Sequence, residues 1–279
     1  MKTLFLSFAA LCSVALQAQE LPQPSPKGKV GQVVGLTDIE VEYSRPSVKG
    51  RTIFGELVPY GKVWRTGANK ATIFETDGPV IFAGEKVEAG AYSLFTIPNE
   101  GAWVIILNKN TELWGEGDRK EEEDVLQVKV ESMKCESTET FTVEFADVKD
   151  DKANMVLRWA NTMVNIPLEA DATEQGIANI KEALAKPDVK AGGYNGAARF
   201  SLDRNVMTKE ALEWATKSVS MDKKYWNLHT LARAQAANGL TKEAIATANE
   251  SMKMAQEADA GSYVTMNRDR IAEWTKAGK

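Results

Sequence analysis

The sequence predicts an α+β chain of two parts, an antiparallel β-sandwich-like domain followed by an all-α helical-repeat domain. Three observations carry that expectation. Residues 30–168 hold many short runs of alternating apolar and polar residues between turn signals. After Leu168 alanine becomes abundant and the apolar spacing turns helical. Within that second half, Thr208-Lys209-Glu210-Ala211 recurs as Thr241-Lys242-Glu243-Ala244, 33 residues on.

The elements follow in order. "MKTLFLSFAALCSVALQAQE" places Lys2 before an apolar run from Leu4 to Leu16, the length of a secretory leader and short of the ~20 residues that span a bilayer. Residues 1–18 are therefore expected to be a signal peptide cleaved near Ala18, leaving an exported chain, periplasmic or extracellular, with no transmembrane segment. A lipid anchor through Cys12 fits less well, because Leu11 stands where a small residue is expected. Residues 19–29, with their three prolines, predict an extended lead-in.

In "DIEVEY", Ile39, Val41 and Tyr43 face one side and Glu40 and Glu42 the other. "VLQVKV" at 125–130 places Leu126, Val128 and Val130 inward, and "FTVEF" at 141–145 alternates in the same way. "AWVIIL" at 102–107 is apolar on both faces, as a central strand would be. Further short strands are expected in "TIFET", "PVIFAG", "AYSLFTI", "NMVLRW" and "MVNIPL". In the second half, 171–279, about six helices are expected, starting near 171, 193, 208, 223, 241 and 261. Asp171 stands three residues before Glu174, as in a capping box.

Composition narrows function. A formal net charge of -5 argues against nucleic acid as the main partner, since phosphate binding needs a basic face. Cys135 and His229, the pair left after leader cleavage, cannot make a Cys/His zinc site, and neither a metal nor a cofactor is expected. His229, in "YWNLHTLA", sits among apolar residues at helical spacing and reads as packing or facing solvent within the repeat rather than as a catalytic base; no catalytic residue is assigned. The acids from Glu112 to Asp124 read as a solvated loop, although two carboxylates would suffice for a hydrolase.

One segment departs from the chain's charge. Between Tyr43 and Phe74 lie six basic residues and one acid, Glu56, with turns at Gly50, Gly61 and Gly67 whose amides can point outward. Arginine forks suit carboxylate or phosphate, and tryptophan offers a stacking face. Arg45, Arg51, Trp64, Arg65, Asn69 and Lys70 are the candidate site for a small anionic or glycan-like ligand. The competing account is that Trp64 fills the core and Arg65 pairs with an acid. In the helical half, Tyr194, Tyr225, Trp226 and Arg233 are the candidate groove for a protein or peptide.

The blocks "VEYSRPSVKGRTIFGELVPYGKVWRTGANKAT" and "AGAYSLFTIPNEGAWVIILNK", then "WGEGD" followed by "DVLQVKV", resemble the domain-of-unknown-function (DUF) 2911 family over about residues 30–168. The resemblance implies an exported protein with a helical region after the family domain. It implies no activity, ligand or catalytic residue, and the acid-rich "DRKEEED" departs from the family's pattern. The helical period resembles tetratricopeptide-type repeats without their closing proline, which implies protein or peptide contact. Three functions stay open: a non-enzymatic binding or envelope-assembly protein, a carboxylate-dependent hydrolase of envelope glycans or peptides, and a structural scaffold.

Overall fold

The computed structural model describes residues 21–277, so the expected leader at 1–18 and the Cys12 anchor lie outside the described residues. Strands come first: β1 (Lys27–Val34), β2 (Thr37–Ser44), β3 (Thr72–Thr76), β4 (Val80–Phe82), β5 (Glu85–Val87), β6 (Gly90–Ile97), β7 (Ala102–Asn108), β8 (Asp124–Lys149) and β9 (Lys152–Glu169). Six helices follow: α1 (Thr173–Leu184), α2 (Ala191–Asp203), α3 (Thr208–Met221), α4 (Tyr225–Ala237), α5 (Thr241–Glu257) and α6 (Gly261–Ala277). No described helix is long and apolar enough to cross a membrane.

The chain divides into two compact units. The β unit takes the sheet up to Leu168, and the helical unit takes the chain from Glu169 together with two hairpin tips, 33–37 and 149–152.

The sheet runs β1-β2-β3-β6-β7-β8-β9-β4-β5. Ladders β2–β3, β3–β6, β6–β7 and β7–β8 are antiparallel. Alternation in the sequence sets the faces: Ile39, Val41 and Tyr43 are buried, and Glu42 between the last two is exposed. In β7, Ile105, Ile106 and Leu107 are all fully buried, as its central place requires. β8 is long enough to pair twice. Its start pairs with β7, and farther on it meets the continuation of β2, where Pro46 accepts from the Phe141 amide at 2.8 Å and the Val48 amide donates to Glu139 at 2.7 Å. That contact closes a ring of five strands, β2-β3-β6-β7-β8, so the sheet curls in a barrel-like way.

Two expectations about strands are corrected. "VLQVKV" and "FTVEF" belong to one strand, β8, and "NMVLRW" and "MVNIPL" to another, β9. The ten residues between the first two, "ESMKCESTET", hold no Gly or Pro to break the ladder. Each long strand holds a residue with positive φ, Asp147 (51°) near the end of β8 and Ala160 (50°) within β9.

The helices begin within two residues of the expected starts. The 33-residue repeat has a packing meaning. Ala211, Ala215 and Ser218 of α3 and their counterparts Ala244, Ala248 and Ser251 of α5 are all fully buried. Each serine hydroxyl joins neighbouring helices. Ser218 donates to the Ala191 carbonyl at 2.8 Å and accepts from Asn227 at 3.0 Å; Ser251 donates to Tyr225 at 2.7 Å and accepts from Asn267 at 2.8 Å. Small side chains bring helices close enough for these bonds. Gly176 of α1 serves the same end, since a Cβ there would lie 2.1 Å from the Phe200 ring of α2. The N-cap residue of α1 is Ala172, so the capping box expected from Asp171 and Glu174 does not form; Asp171 instead accepts from the Thr173 amide at 2.8 Å.

Candidate functional site

"PYGKVWRTGANKAT", residues 59–72, is irregular but pinned. Trp64 exchanges two backbone bonds with Thr96 of β6, at 2.7 and 2.9 Å. Thr66, fully buried at φ 53°, donates to Thr96 Oγ1 at 3.1 Å, and its carbonyl accepts from Thr72 at 2.6 Å. The Gly61 amide donates to Pro98 at 2.9 Å, so it does not point outward as expected.

These anchors turn the Trp64 side chain inward. It is only 7% exposed and its indole N–H donates to the Gly67 carbonyl at 3.0 Å. It packs among Phe54, Trp103, Phe141 and Trp159, with the Trp159 ring stacked at 5.6 Å and the others edge-on. Of the two accounts the sequence left open, the core one holds for this ring, because pairs of this kind reward burial.

The other candidates separate. Arg45 is committed to β8, donating to the Phe141 carbonyl at 3.2 Å and Thr142 Oγ1 at 2.9 Å. Asn69, in the left-handed region at φ 61°, bonds Ser44 Oγ at 3.3 Å and the Ser25 carbonyl at 3.4 Å. Lys70 pairs with Glu112 at 3.1 Å and lines a different cavity. Arg51, Trp64 and Arg65 come together on one cavity of about 280 Å³. Arg45, Asn69 and Lys70 do not line it.

That cavity gains three residues the sequence did not single out as site residues: Lys62, Glu116 and Trp159. Pro46, Leu57, Val58, Pro59 and Val63 supply its apolar walls, and Ser25 with the charged residues supplies the polar ones. Arg51 donates to the Val48 and Ser47 carbonyls at 3.0 and 2.6 Å, which fixes its guanidinium in place. Arg65 donates from Nη1 to Glu116 at 3.0 Å. Two buried donors on this cavity's lining residues have no partner, Arg65 Nε and the Trp159 indole N–H. A buried donor left unmatched costs about 1–3 kcal/mol, so each such atom asks for an explanation. The arrangement offers donors and positive charge, with one carboxylate among its lining groups.

The acidic run is more than a solvated loop. Glu112 and Glu116 hold Lys70 and Arg65. Arg119 and Asp124, whose side chains are 6% and 5% exposed, form a buried ion pair. Trp114 in the same stretch is 70% exposed.

In the helical unit, a cavity of about 370 Å³ is lined by Leu202, Arg233, Ala236, Arg270 and Trp274 among others. Of the four expected groove residues it takes only Arg233; Tyr194, Tyr225 and Trp226 do not line it. Tyr225 packs edge-on against Tyr263 at 5.0 Å, and Tyr194 and Trp226 are half-buried away from it. Both arginines hold an acid, Arg233 with Asp203 at 2.5 Å and Arg270 with Glu273 at 2.8 Å. The helical unit also has unmatched buried oxygens, on Asn195, Ser201 and Gln235, but none of these residues lines the cavity. His229 packs rather than faces solvent: it is buried, its Nδ1 2.8 Å from Asn267 Oδ1. Burial lowers its pKa below the usual histidine value, and the charges of Arg233, Arg270 and Arg199 add to that.

Neither the comparison with curated proteins nor that with solved structures gives a match. A family model described as "Protein of unknown function (DUF2911)" matches residues 25–168, more than half of the chain and the segment that carries the β-unit cavity. The chain therefore belongs to the DUF2911 family.

Proposed function

We propose that this chain is an exported, non-enzymatic binding protein whose β unit takes a small anionic or glycan-like ligand in the cavity between Arg51, Lys62 and Arg65. The observation that carries this reading is the pair of buried, unmatched donors on one cavity, Arg65 Nε and the Trp159 indole N–H. A scaffold gains nothing from such donors, whereas a ligand's oxygens would satisfy them. The hydrolase alternative asks for two carboxylates facing one substrate, and Glu116 is the single carboxylate lining this cavity.

The test is direct. With the indole nitrogens isotope-labelled, the Trp159 N–H resonance is followed as acetate, inorganic phosphate, glucuronate and glucose are added in turn. At least one is expected to shift it saturably, and Arg65→Gln is expected to abolish that shift. A resonance that no compound moves sinks the proposal.

For the helical unit the reading is a tetratricopeptide-like repeat that contacts a protein or peptide of the envelope. What supports it is the 33-residue recurrence of buried Ala, Ala and Ser positions in α3 and α5. Recovery of the same envelope proteins by the wild-type chain and by Arg270→Glu would remove the helical cavity from that role.

A further inference from the structure

We infer that the ligand of the β-unit cavity is a monocarboxylate with a short apolar body, held on one edge of the Arg65 guanidinium; the inference rests on the proposal that this cavity binds a small ligand. Arg65 has three nitrogens and Glu116 takes one, Nη1. Nε is buried without a partner, and Nη2 makes no bond among the described residues. Nε–H and the nearer Nη2–H lie parallel along the same edge of the group. That edge is the fork which matches the two oxygens of a planar carboxylate. Trp159, whose indole N–H is likewise buried and unmatched among the described residues, lines the same cavity.

Charge favours an anion over a neutral ligand. Arg51, Lys62 and Arg65 share the cavity with one carboxylate, Glu116, so the field is net positive. The walls select again. Pro46, Leu57, Val58, Pro59 and Val63 present apolar side chains that suit a hydrocarbon body, while Ser25 and Glu116 are the lining side chains able to accept from a hydroxyl. Leu57 is 47% exposed at this cavity, apolar surface that such a body would cover. A volume of about 280 Å³ lies at the small end of ligand pockets, which limits the body to a few carbons.

The experiment titrates the full chain with acetate, butyrate and hexanoate. Hexanamide, inorganic phosphate and glucose serve as comparisons. Binding is read by calorimetry and by the Trp159 indole resonance. Affinity is expected to rise roughly fourfold for each methylene that becomes buried. Hexanamide is expected to bind at least about tenfold more weakly than hexanoate. Arg65→Lys keeps the charge but loses the fork, and a loss of about tenfold or more is expected. Glu116→Gln removes the competing carboxylate from an exposed position and is expected to tighten hexanoate severalfold. Circular dichroism checks that both variants are folded. If phosphate or glucose binds more tightly than hexanoate through the same resonance, the carboxylate class is wrong while the cavity remains a binding site. Unchanged hexanoate affinity in Arg65→Lys overturns the inference as well. If no compound binds, both the inference and the proposal beneath it fall.

Discussion

The β-unit cavity and the helical-unit cavity carry a similar charge and differ in how their donors are used. In the helical unit Arg233 and Arg270 each hold an acid at the surface, and the buried Asn and Ser side chains that join the helices are bonded to one another. In the β unit Arg65 Nε and the Trp159 indole N–H are buried and unmatched among the described residues. Net charge of the lining side chains would rank the two alike. Unmatched buried donors separate them, because such atoms are costly to keep unless something else fills their valence.

The largest test of that contrast is Trp64→Ala. The floor of the β-unit cavity is also the centre of an aromatic core, so the change is expected to cost about 3–5 kcal/mol. A drop in melting temperature of roughly 10 °C would follow, read by calorimetry. A near-unchanged melting temperature would show that the ring is a surface feature after all. Next comes Asn267→Ala in the helical unit. It removes a buried side chain bonded to His229, Ser251 and the Tyr263 carbonyl, each at 2.8 Å, and is expected to cost about 2–3 kcal/mol by urea denaturation. Loss of less than about 0.5 kcal/mol would mean the polar ladder is not structural.

A smaller effect is expected from pH. His229 has a folded pKa below the unfolded value of 6.5, so the unfolded chain takes up the proton first. Its contribution to stability is whole above about pH 6.5 and is lost as pH falls from there through the lowered folded value. The urea midpoint should decline over that window in the wild type, and less so in His229→Gln. The smallest effect is predicted for Arg233→Ala. Its ion pair is with a half-exposed acid and should be worth less than about 1 kcal/mol. Carboxylate titration of the β unit should be unaltered by it.

Much of this architecture is legible along the chain. The alternation of "DIEVEY" gives the buried face of β2, and the recurrence of Thr-Lys-Glu-Ala marks the starts of α3 and α5. The basic block around Arg65 is legible as charge. Its partners are not, because they are distant in sequence: Glu116 lies 51 residues from Arg65 and Glu112 lies 42 from Lys70. Trp159 carries no local sign of a role, since its strand reads as any buried strand does. Only the curl of the sheet brings its ring against Trp64 and leaves its N–H without an acceptor. Local patterns fix which face a residue takes; they do not show which atoms remain unbonded once distant strands meet.

The closure of the five-strand ring has a consequence for how the chain acquires its shape. Ser47 meets Thr140 across 93 residues, and Tyr43 bonds the Val143 backbone across 100. The helices, by contrast, are joined by bonds between residues such as Ser218 and Asn227, nine apart, and Ser251 and Asn267, sixteen apart. Contacts at long separation must overcome loop-closure entropy before they reward it, and chains rich in them fold slowly. The helical unit is therefore expected to form early and the ring to close late. Trp64 and Trp159 would report that late step through their fluorescence, and the cavity would not exist until it was complete.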